Sequence, residues 1–324
     1  MTEKDSAVVE PWTAYWRTGT PASCFNHENT EVRLAQVWQE FVDGLRDDAR
    51  LLDLATGNGT VARSCAASAR ALKRKLNIEA VDAAAIDPPA CVADPQRLFQ
   101  QIRFRGAVRL EALPFPDGAF DGVVSQFGFE YAEEAGAASE AARVLATGGK
   151  LRLVMHARDG AVSRDIGLRL ERLNAALAPD GPITLVRDLS RAAVAGDRKT
   201  IAVKSSRLPA AAALVRRLAE NPLPDDAALF YSSEFLKLWA QRARYWPADL
   251  SRSTDDGWNN ASGVASRQEQ MLRAGREEED VGRIGARFVS AGLLLDPVND
   301  IKDEQRGVRI AWMLSARKPA NALT

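Results

Sequence analysis

The sequence predicts an α/β fold, a doubly wound parallel sheet with a helical insertion after its fifth strand. Three observations predict it. A short apolar strand at residues 50–54 runs into a glycine-bearing turn that opens an Ala-rich helix. Further short apolar strands follow, most of them separated by helical stretches. Beyond His156 the strand signal nearly disappears, returning only near Leu293. Strands that alternate with helices argue for a parallel sheet covered on both faces, because each right-handed crossover lays its helix on the sheet.

The elements can be justified in order. Residues 31–46 place Leu34, Trp38, Phe41, Val42 and Leu45 on one helical stripe, with Asn29 or Thr30 as N-cap and Glu31 in the first turn. The first strand ends near Asp53, and the helix after the turn extends to about Lys75. Residues 78–82, 107–110, 120–125 and 151–156 read as the second to fifth strands. In the insertion, stripes such as Ile166, Leu170, Leu173 and Leu177 mark helices, while Pro182, Pro209, Pro222, Pro224 and Pro247 divide it into short segments. A helix starting near the acidic run 277–280 carries Val281, Ile284, Phe288 and Leu293, its acids well placed for the N-terminal dipole. Residues 293–301 and 308–316 then close the sheet as an antiparallel hairpin, for seven strands in all. The expected organisation is an N-terminal helical segment or lid (1–45), a core (46–156), the insertion (157–275), and a C-terminal helix with closing strands (276–324).

Composition narrows the function. The 324 residues are 46% hydrophobic and 27% charged, which excludes disorder and small disulfide scaffolds. That length exceeds a single comfortable core and suits a domain plus a substantial insertion. Lys and Arg number 43 and are balanced by 43 Asp and Glu, so no net field recruits nucleic acid or an anionic membrane. A small or neutral partner is expected. No apolar run approaches the length of about 18 residues that a membrane span needs. Glu3, Lys4 and Asp5 stand where a secretory signal would be apolar, which gives a cytoplasmic expectation. Cys24, Cys65 and Cys91 share no CxxC spacing, and His27 and His156 are the sole histidines, so no metal centre is expected.

The run LLDLATGNGTVA at 51–62 carries the chemistry. Gly57-x-Gly59-x-x-Ala62 also satisfies the dinucleotide pattern GxGxxG/A. Asp53 argues against that reading, because a carboxylate so close to the turn repels a pyrophosphate and welcomes a cation. The run resembles the first motif of class I S-adenosylmethionine-dependent methyltransferases, hh-D-x-G/A-x-G-x-G, matched by Asp53, Ala55, Gly57 and Gly59. LPFPDGAFD at 113–121 and RVLATGGKL at 143–151 are similar to that family's segments around its fourth and fifth strands.

The resemblance implies a Rossmann-like methyltransferase sheet and S-adenosyl-L-methionine as cofactor. It also implies that Asp82, with Ala83 beside it, accepts hydrogen bonds from the ribose hydroxyls; Asp87 is the competitor if the second strand runs longer. An acidic residue often receives the adenine amino group in this family. Here Arg109 holds that place, which shifts the contact to Glu111 or to the backbone at Ala112 and Leu113. Asp87-Pro-Pro-Ala90 has the look of an amino-methyltransferase motif but follows the wrong strand and lacks its aromatic residue. The segment after the fourth strand offers Ser125 and Gln126 to the methionine end of the cofactor. Trp12, Tyr15 and Trp16 precede the sheet and either close over the cofactor, Trp16 foremost, or dock on the scaffold.

Methyl transfer is an in-line displacement in which alignment does most of the work, and a base is needed only for a protonated acceptor. His156 is the best-placed candidate, with His27, Glu130 and Tyr131 behind it. Tyr231, Phe235 and Trp239 either wall an acceptor pocket or form core. The expected activity is methyl transfer to an O or N atom of a small molecule. The alternative is a non-catalytic partner subunit or ligand sensor of the same fold.

Overall fold

The computed structural model describes residues 3–20, 28–303 and 306–320. His27 and Cys24 therefore lie outside the described residues. Two compact units emerge, one formed by residues 1–163 with 273–324 and the other by residues 164–272.

The first unit is built on a sheet whose central strands are apolar on both faces. Strand β1 (Ala49–Leu54) pairs in parallel with β2 (Leu76–Val81) and β4 (Phe120–Gln126). Leu51, Leu52 and Leu54 are fully buried, as a strand covered by helices above and below requires. Strand β3 (Ile102–Arg105) adds to β2, and β5 (Leu145–His156) adds to β4. Strand β8 (Val308–Arg317) then pairs antiparallel with β5. The spatial order is β3-β2-β1-β4-β5-β8-β6, with β7 also on β8. The reversal of direction on either side of β1 is the switch point at which doubly wound sheets bind ligands.

Small residues set the helices close to this sheet. Helix α3 (Thr60–Ala71) buries Val61, Ala62, Cys65, Ala66 and Ala69, and α5 (Glu134–Val144) buries Ala137, Ala138, Ala141 and Ala142. Helix α12 (Glu278–Ser290) lays Val281, Ile284 and Phe288 on the sheet, and Asp280 accepts the Glu277 N–H at its start. Helices α1 (Glu3–Trp16) and α2 (Glu28–Asp43) precede β1. A short helix α4 (Pro88–Cys91) follows β2.

Several sequence expectations are corrected. The third strand is Ile102–Arg105 rather than 107–110. Gly106 lies so close to the Ala84–Ile86 backbone that a Cβ would come within 2.8 Å of the Ile86 nitrogen, and the chain leaves the ladder there with Ala107 at φ 57°. Helix α2 starts at Glu28, which puts Asn29 and Thr30 inside its first turn, and it ends three residues short of the expected 46. Helix α3 stops at Ala71 instead of near Lys75. The closing strand expected at 293–301 is split into β6 (Leu294–Leu295) and β7 (Asn299–Asp303), both on β8. Pro297, which has no N–H to give the ladder, sits in the break.

The second unit is helical. It holds α7 (Pro182–Ala195), α8 (Arg198–Ser205), α9 (Leu208–Glu220), α10 (Ala227–Ala240) and most of α6 (Ala161–Leu177) and α11 (Pro247–Ala274). Its own core includes Leu173, Ile183, Leu189, Phe235, Trp239 and Leu250. Phe235 and Trp239 are buried there and Tyr231 packs against them, so the aromatic stripe is core. No helix among the described residues is long and apolar enough to cross a membrane.

Candidate cofactor and methyl-transfer site

At the carboxyl ends of β1 and β2 the chain makes a turn that glycine must supply. Gly57 and Gly59 have φ of 53° and 81°, in the left-handed region open to a residue without a Cβ. Ala55 takes φ 53° as well, a strained value for alanine, at the position where the family usually has glycine. Two buried carboxylates hold this turn. Asp53 Oδ2 accepts from the Thr56 hydroxyl at 2.6 Å and from the Ala62 N–H at 3.1 Å, folding the turn onto the start of α3. Asp82 Oδ2 accepts the Gly57 N–H and its Oδ1 the Ala84 N–H, each at 2.8 Å.

Burial dominates the electrostatics of the pair. Loss of water pushes the Asp53 carboxyl up to about 7, against the hydrogen bonds from Thr56 and Ala62, and the Asp82 charge adds to the rise. Desolvation likewise lifts Asp82 to about 6, opposed by its two backbone hydrogen bonds. A cation placed beside them would restore their charge. Asp53 Oδ1 is buried and has no hydrogen-bond partner among the described residues. Each Asp82 oxygen has used one of its two lone pairs, which leaves an acceptor for each of two vicinal hydroxyls. These residues thus fit S-adenosylmethionine, a sulfonium that also carries an ammonium and a ribose.

Helix α1 lies over this turn. The Trp16 indole rests on Gly57 so closely that a Cβ there would sit 2.4 Å from the ring. Asn58 Nδ2 donates to the carbonyls of Trp16 and Thr20, and the Ala85 N–H donates to Thr13 Oγ1. Trp12 stacks on Trp16, with centroids 5.9 Å apart, and meets Tyr131 edge-on at 5.6 Å. Tyr131 in turn lies 6.1 Å from His156, and Phe127 lies 4.4 Å from it. An aromatic chain therefore links the glycine turn to the end of β5.

His156 closes that chain. It is fully buried at the last position of β5, and its Nδ1 lies 2.7 Å from Glu130 Oε1. The same oxygen accepts the His156 backbone N–H at 2.8 Å. Arg276 braces the pair: Nη2 donates to the Glu130 carbonyl at 2.7 Å, and its backbone N–H donates to the His156 carbonyl.

The other expected residues are engaged within the fold. Ser125 Oγ donates to the Leu54 carbonyl and accepts the Phe129 N–H, fastening β1 to the turn after β4. Gln126 Oε1 accepts from Trp38 Nε1 at 2.7 Å. Glu111 Oε1 accepts the Glu133 N–H at 2.8 Å and Oε2 faces Arg109 Nε at 3.4 Å, so Glu111 braces the approach to α5. Leu113 is buried with its N–H on Glu140, whereas Ala112 is exposed and Ala83 half-buried. Asp87 precedes α4, outside β2.

Sequence reasoning missed Thr56, Asn58, Thr13 and Arg276. The first two stand at the x positions of the glycine motif, where it specifies no residue type. Nothing local to Arg276 signals its bond to Glu130, 146 residues away.

Residues 52–153 match the family described as "Methyltransferase domain". A demethylmenaquinone methyltransferase of Thermus thermophilus is 41% identical over 105 residues, which are 32% of this chain and 44% of that protein. The chain thus spans less than half the length of that relative. Among solved structures, the 1,6-didemethyltoxoflavin-N1-methyltransferase of Burkholderia thailandensis, with bound 1,6-didemethyltoxoflavin and S-adenosylhomocysteine, is 12% identical. The likeness covers 90% of this chain and 80% of that one at a TM-score of 0.42. An S-adenosylmethionine-dependent methyltransferase of Methanosarcina mazei is also 12% identical, over 87% of this chain and 98% of that one, at a TM-score of 0.39. The glycine turn and both buried carboxylates lie inside the segment, residues 52–153, that matches the methyltransferase-domain family.

Proposed function

We propose that this protein transfers the methyl group of S-adenosylmethionine to an oxygen or nitrogen atom of a small molecule. The observation that carries the reading is the buried pair Asp53 and Asp82 on either side of the Gly57–Gly59 turn. Burying two carboxylates so close together is costly unless a cation or hydrogen-bond donors meet them. The bound sulfonium supplies an activated methyl group. The protein's part is to hold Asp82 toward the ribose, to cover the turn with Trp12 and Trp16, and to exclude water from the acceptor. His156, Glu130 and Tyr131 stand at the far end of the aromatic chain as the groups nearest to proton chemistry, and His27 remains a sequence candidate. The helical unit is proposed to select the acceptor. The support is its place in the chain, directly after the strand that ends in His156.

Calorimetry on the purified protein tests the cofactor half of this reading. S-adenosylmethionine and S-adenosylhomocysteine should bind, and NAD should not. Asp82→Ala should lose about 1.5 to 3 kcal/mol of that affinity, the range for hydrogen bonds to a charged group. Equal affinity in wild type and variant would show that Asp82 is not the ribose acceptor. The acceptor half is tested by following transfer of a labelled methyl group to a panel of phenols, enols and amines. The name of the Thermus relative adds a demethylated menaquinone to that panel.

A further inference from the structure

We propose that a groove at the amino ends of β1 and β2 is a second binding site, which takes a small ligand by a run of linked phosphates. The groove encloses about 690 Å³, a volume typical of small-molecule sites. It shares no lining residue with the turn that holds Asp53, Gly57 and Asp82.

The end of α3 and the turn into β2 bring Arg70, Lys73, Arg74 and Lys75 to the groove, and the strands bring Arg50 and Arg103. Asp48 and Glu79 are the acids of the lining, which leaves an excess of four positive charges in one concavity. The chain as a whole has no such excess, since its 43 basic residues are balanced by 43 acidic ones. Helix ends account for part of the cluster, because cations suit the carbonyls there. Arg74 donates to the carbonyls of Val42, Asp43 and Leu45 beyond α2. Arg50 and Arg103 stand on strands and have no such reason to gather.

The sheet register places them on one face. Arg50 is the partner of Asn77 and Arg103 that of Glu79, and alternate residues of a strand share a face. Leu51, Ile78 and Ile102, on the other face, are buried. A parallel strand covered by helices on both sides is apolar on both. Here one side is polar instead, and the Arg103 side chain is 82% exposed.

The acids are already engaged, whereas several of the cations are not. Glu79 is shared by Arg103 at 3.5 Å and Arg105 at 3.0 Å, and Asp48 accepts from Asn77 Nδ2 at 3.0 Å. Asp47, next to the lining, accepts the backbone N–H groups of Asp48 and Lys75. Arg50 lies over the Phe120 ring, 5.3 Å from its centroid, without a carboxylate on its guanidinium. Among the described residues the side chains of Lys73 and Lys75 make no hydrogen bond or ion pair, nor do those of Gln100 and Gln101 from the 3₁₀ turn (Leu98–Gln101) before β3.

A concavity lined by one sign of charge focuses potential and concentrates counter-ions. Four of its six cations are arginines, whose planar fork pairs with phosphate oxygens, and the lysines add mobile point charges. A run of three phosphates matches the excess, with about one charge on each inner phosphate and nearly two on the last. A dicarboxylate brings half as much. The amides of Gln100 and Gln101 supply neutral donors for the remaining oxygens. With no net charge on the chain, a long nucleic acid gains no wider field to follow.

Calorimetry on the full chain, in magnesium-free buffer at physiological salt, tests the site with tripolyphosphate, ATP, orthophosphate, succinate and a single-stranded oligonucleotide. Tripolyphosphate should bind at one site, at least about 10-fold more tightly than orthophosphate or succinate. ATP tighter still assigns a contact to the base as well, and equal affinity assigns the phosphate run alone. Changing both lysines, Lys73→Gln with Lys75→Gln, should weaken tripolyphosphate about 10-fold. Arg103→Gln is a second variant, in which Glu79 keeps Arg105, and a melting curve checks that each is folded. Amide shifts in ¹⁵N NMR with tripolyphosphate should centre on residues 70–79 and 100–103 and spare 53–59.

Equal affinity for orthophosphate and tripolyphosphate overturns the proposal, because it reduces the groove to a patch for counter-ions. Undiminished affinity in both folded variants, or shifts centred on 53–59, overturns it too. So does an oligonucleotide that binds more tightly than tripolyphosphate, which would make the groove a nucleic-acid surface. Binding of S-adenosylmethionine is measured separately, so a failure there counts against methyl transfer and not against the groove.

Discussion

The two ends of the same strands carry opposite chemistry. At the carboxyl ends of β1 and β2, the carboxyl groups of Asp53 and Asp82 are buried, desolvated and bonded to the glycine turn. At the amino ends, a groove of about 690 Å³ is lined by Arg50, Arg70, Lys73, Arg74, Lys75 and Arg103, among others. Several charges of that groove also have local uses. Arg74 caps the end of α2 through the carbonyls of Val42, Asp43 and Leu45, Arg103 faces Glu79 at 3.5 Å, and Arg70 holds the Gln96 carbonyl. Exposed charges are screened and cost little to keep, whereas buried carboxylates are expensive and mark the place where a ligand completes the electrostatics. Burial of the charged groups separates the proposed cofactor site from the basic groove.

The largest effect that would break this contrast is expected at Gly57. Gly57→Val puts a β-branched residue at φ 53° and drives its Cβ into the Trp16 ring. Binding of S-adenosylhomocysteine should fall at least 100-fold while the far-ultraviolet circular dichroism stays that of the folded protein. Gly57→Ala, with a smaller clash, should fall in between. Binding unchanged in both would mean that the cofactor does not approach the turn.

The carboxyl end was also the more legible end. Asp53, Gly57, Gly59 and Asp82 could be read from sequence because a tight turn at a strand end constrains residue type at fixed spacing. The sheet's core was legible for a related reason, since buried parallel strands must be apolar runs such as 51–54 and 120–125. The third strand was misplaced because residues 107–110 look equally strand-like, and the close approach of Gly106 to the backbone of residues 84–86 is a tertiary fact. Ser125, Gln126 and Glu111 were expected at the ligand, and the structure adds that their polar atoms also hold Leu54, Trp38 and Glu133. Which partner a polar side chain takes is decided by residues remote in sequence. The pairing of Glu130 with His156 has the same origin: both residues could be named beforehand, but their contact could not.

A smaller effect should appear with pH, and it sharpens the contrast because only the buried acids produce it. In the unfolded chain both aspartates titrate near 3.8, and in the native protein Asp53 is raised to about 7 and Asp82 to about 6. Between those values the native state binds more protons than the unfolded one. The stability they contribute is thus complete below about pH 4 and is lost as pH rises through 6 and 7. The cofactor-free melting temperature should fall over that interval apart from other titrations, and Asp53→Asn should flatten the slope. Affinity for S-adenosylmethionine should rise over the same interval, since its cationic groups favour the ionised acids. An affinity independent of pH from 5 to 8 would mean that neither aspartate changes charge on binding.

The smallest effect belongs to the amino end, and its smallness is the point. Lys73 lies there beyond the end of α3, in the groove and well exposed. Lys73→Ala should change S-adenosylmethionine affinity by less than about 0.5 kcal/mol, the usual limit for a surface change away from special features. Its effect should shrink further as salt is raised from low to physiological strength, because the Debye length falls to about 8 Å, short of the sheet's opposite end. The neutral outcome is informative because Lys73 has φ 57°, a backbone cost that alanine shares, so little change in thermal stability is expected alongside unchanged binding. A loss of affinity as large as that of Asp82→Ala would instead couple the basic groove to the cofactor turn, and the separation between the two ends of the sheet would fail.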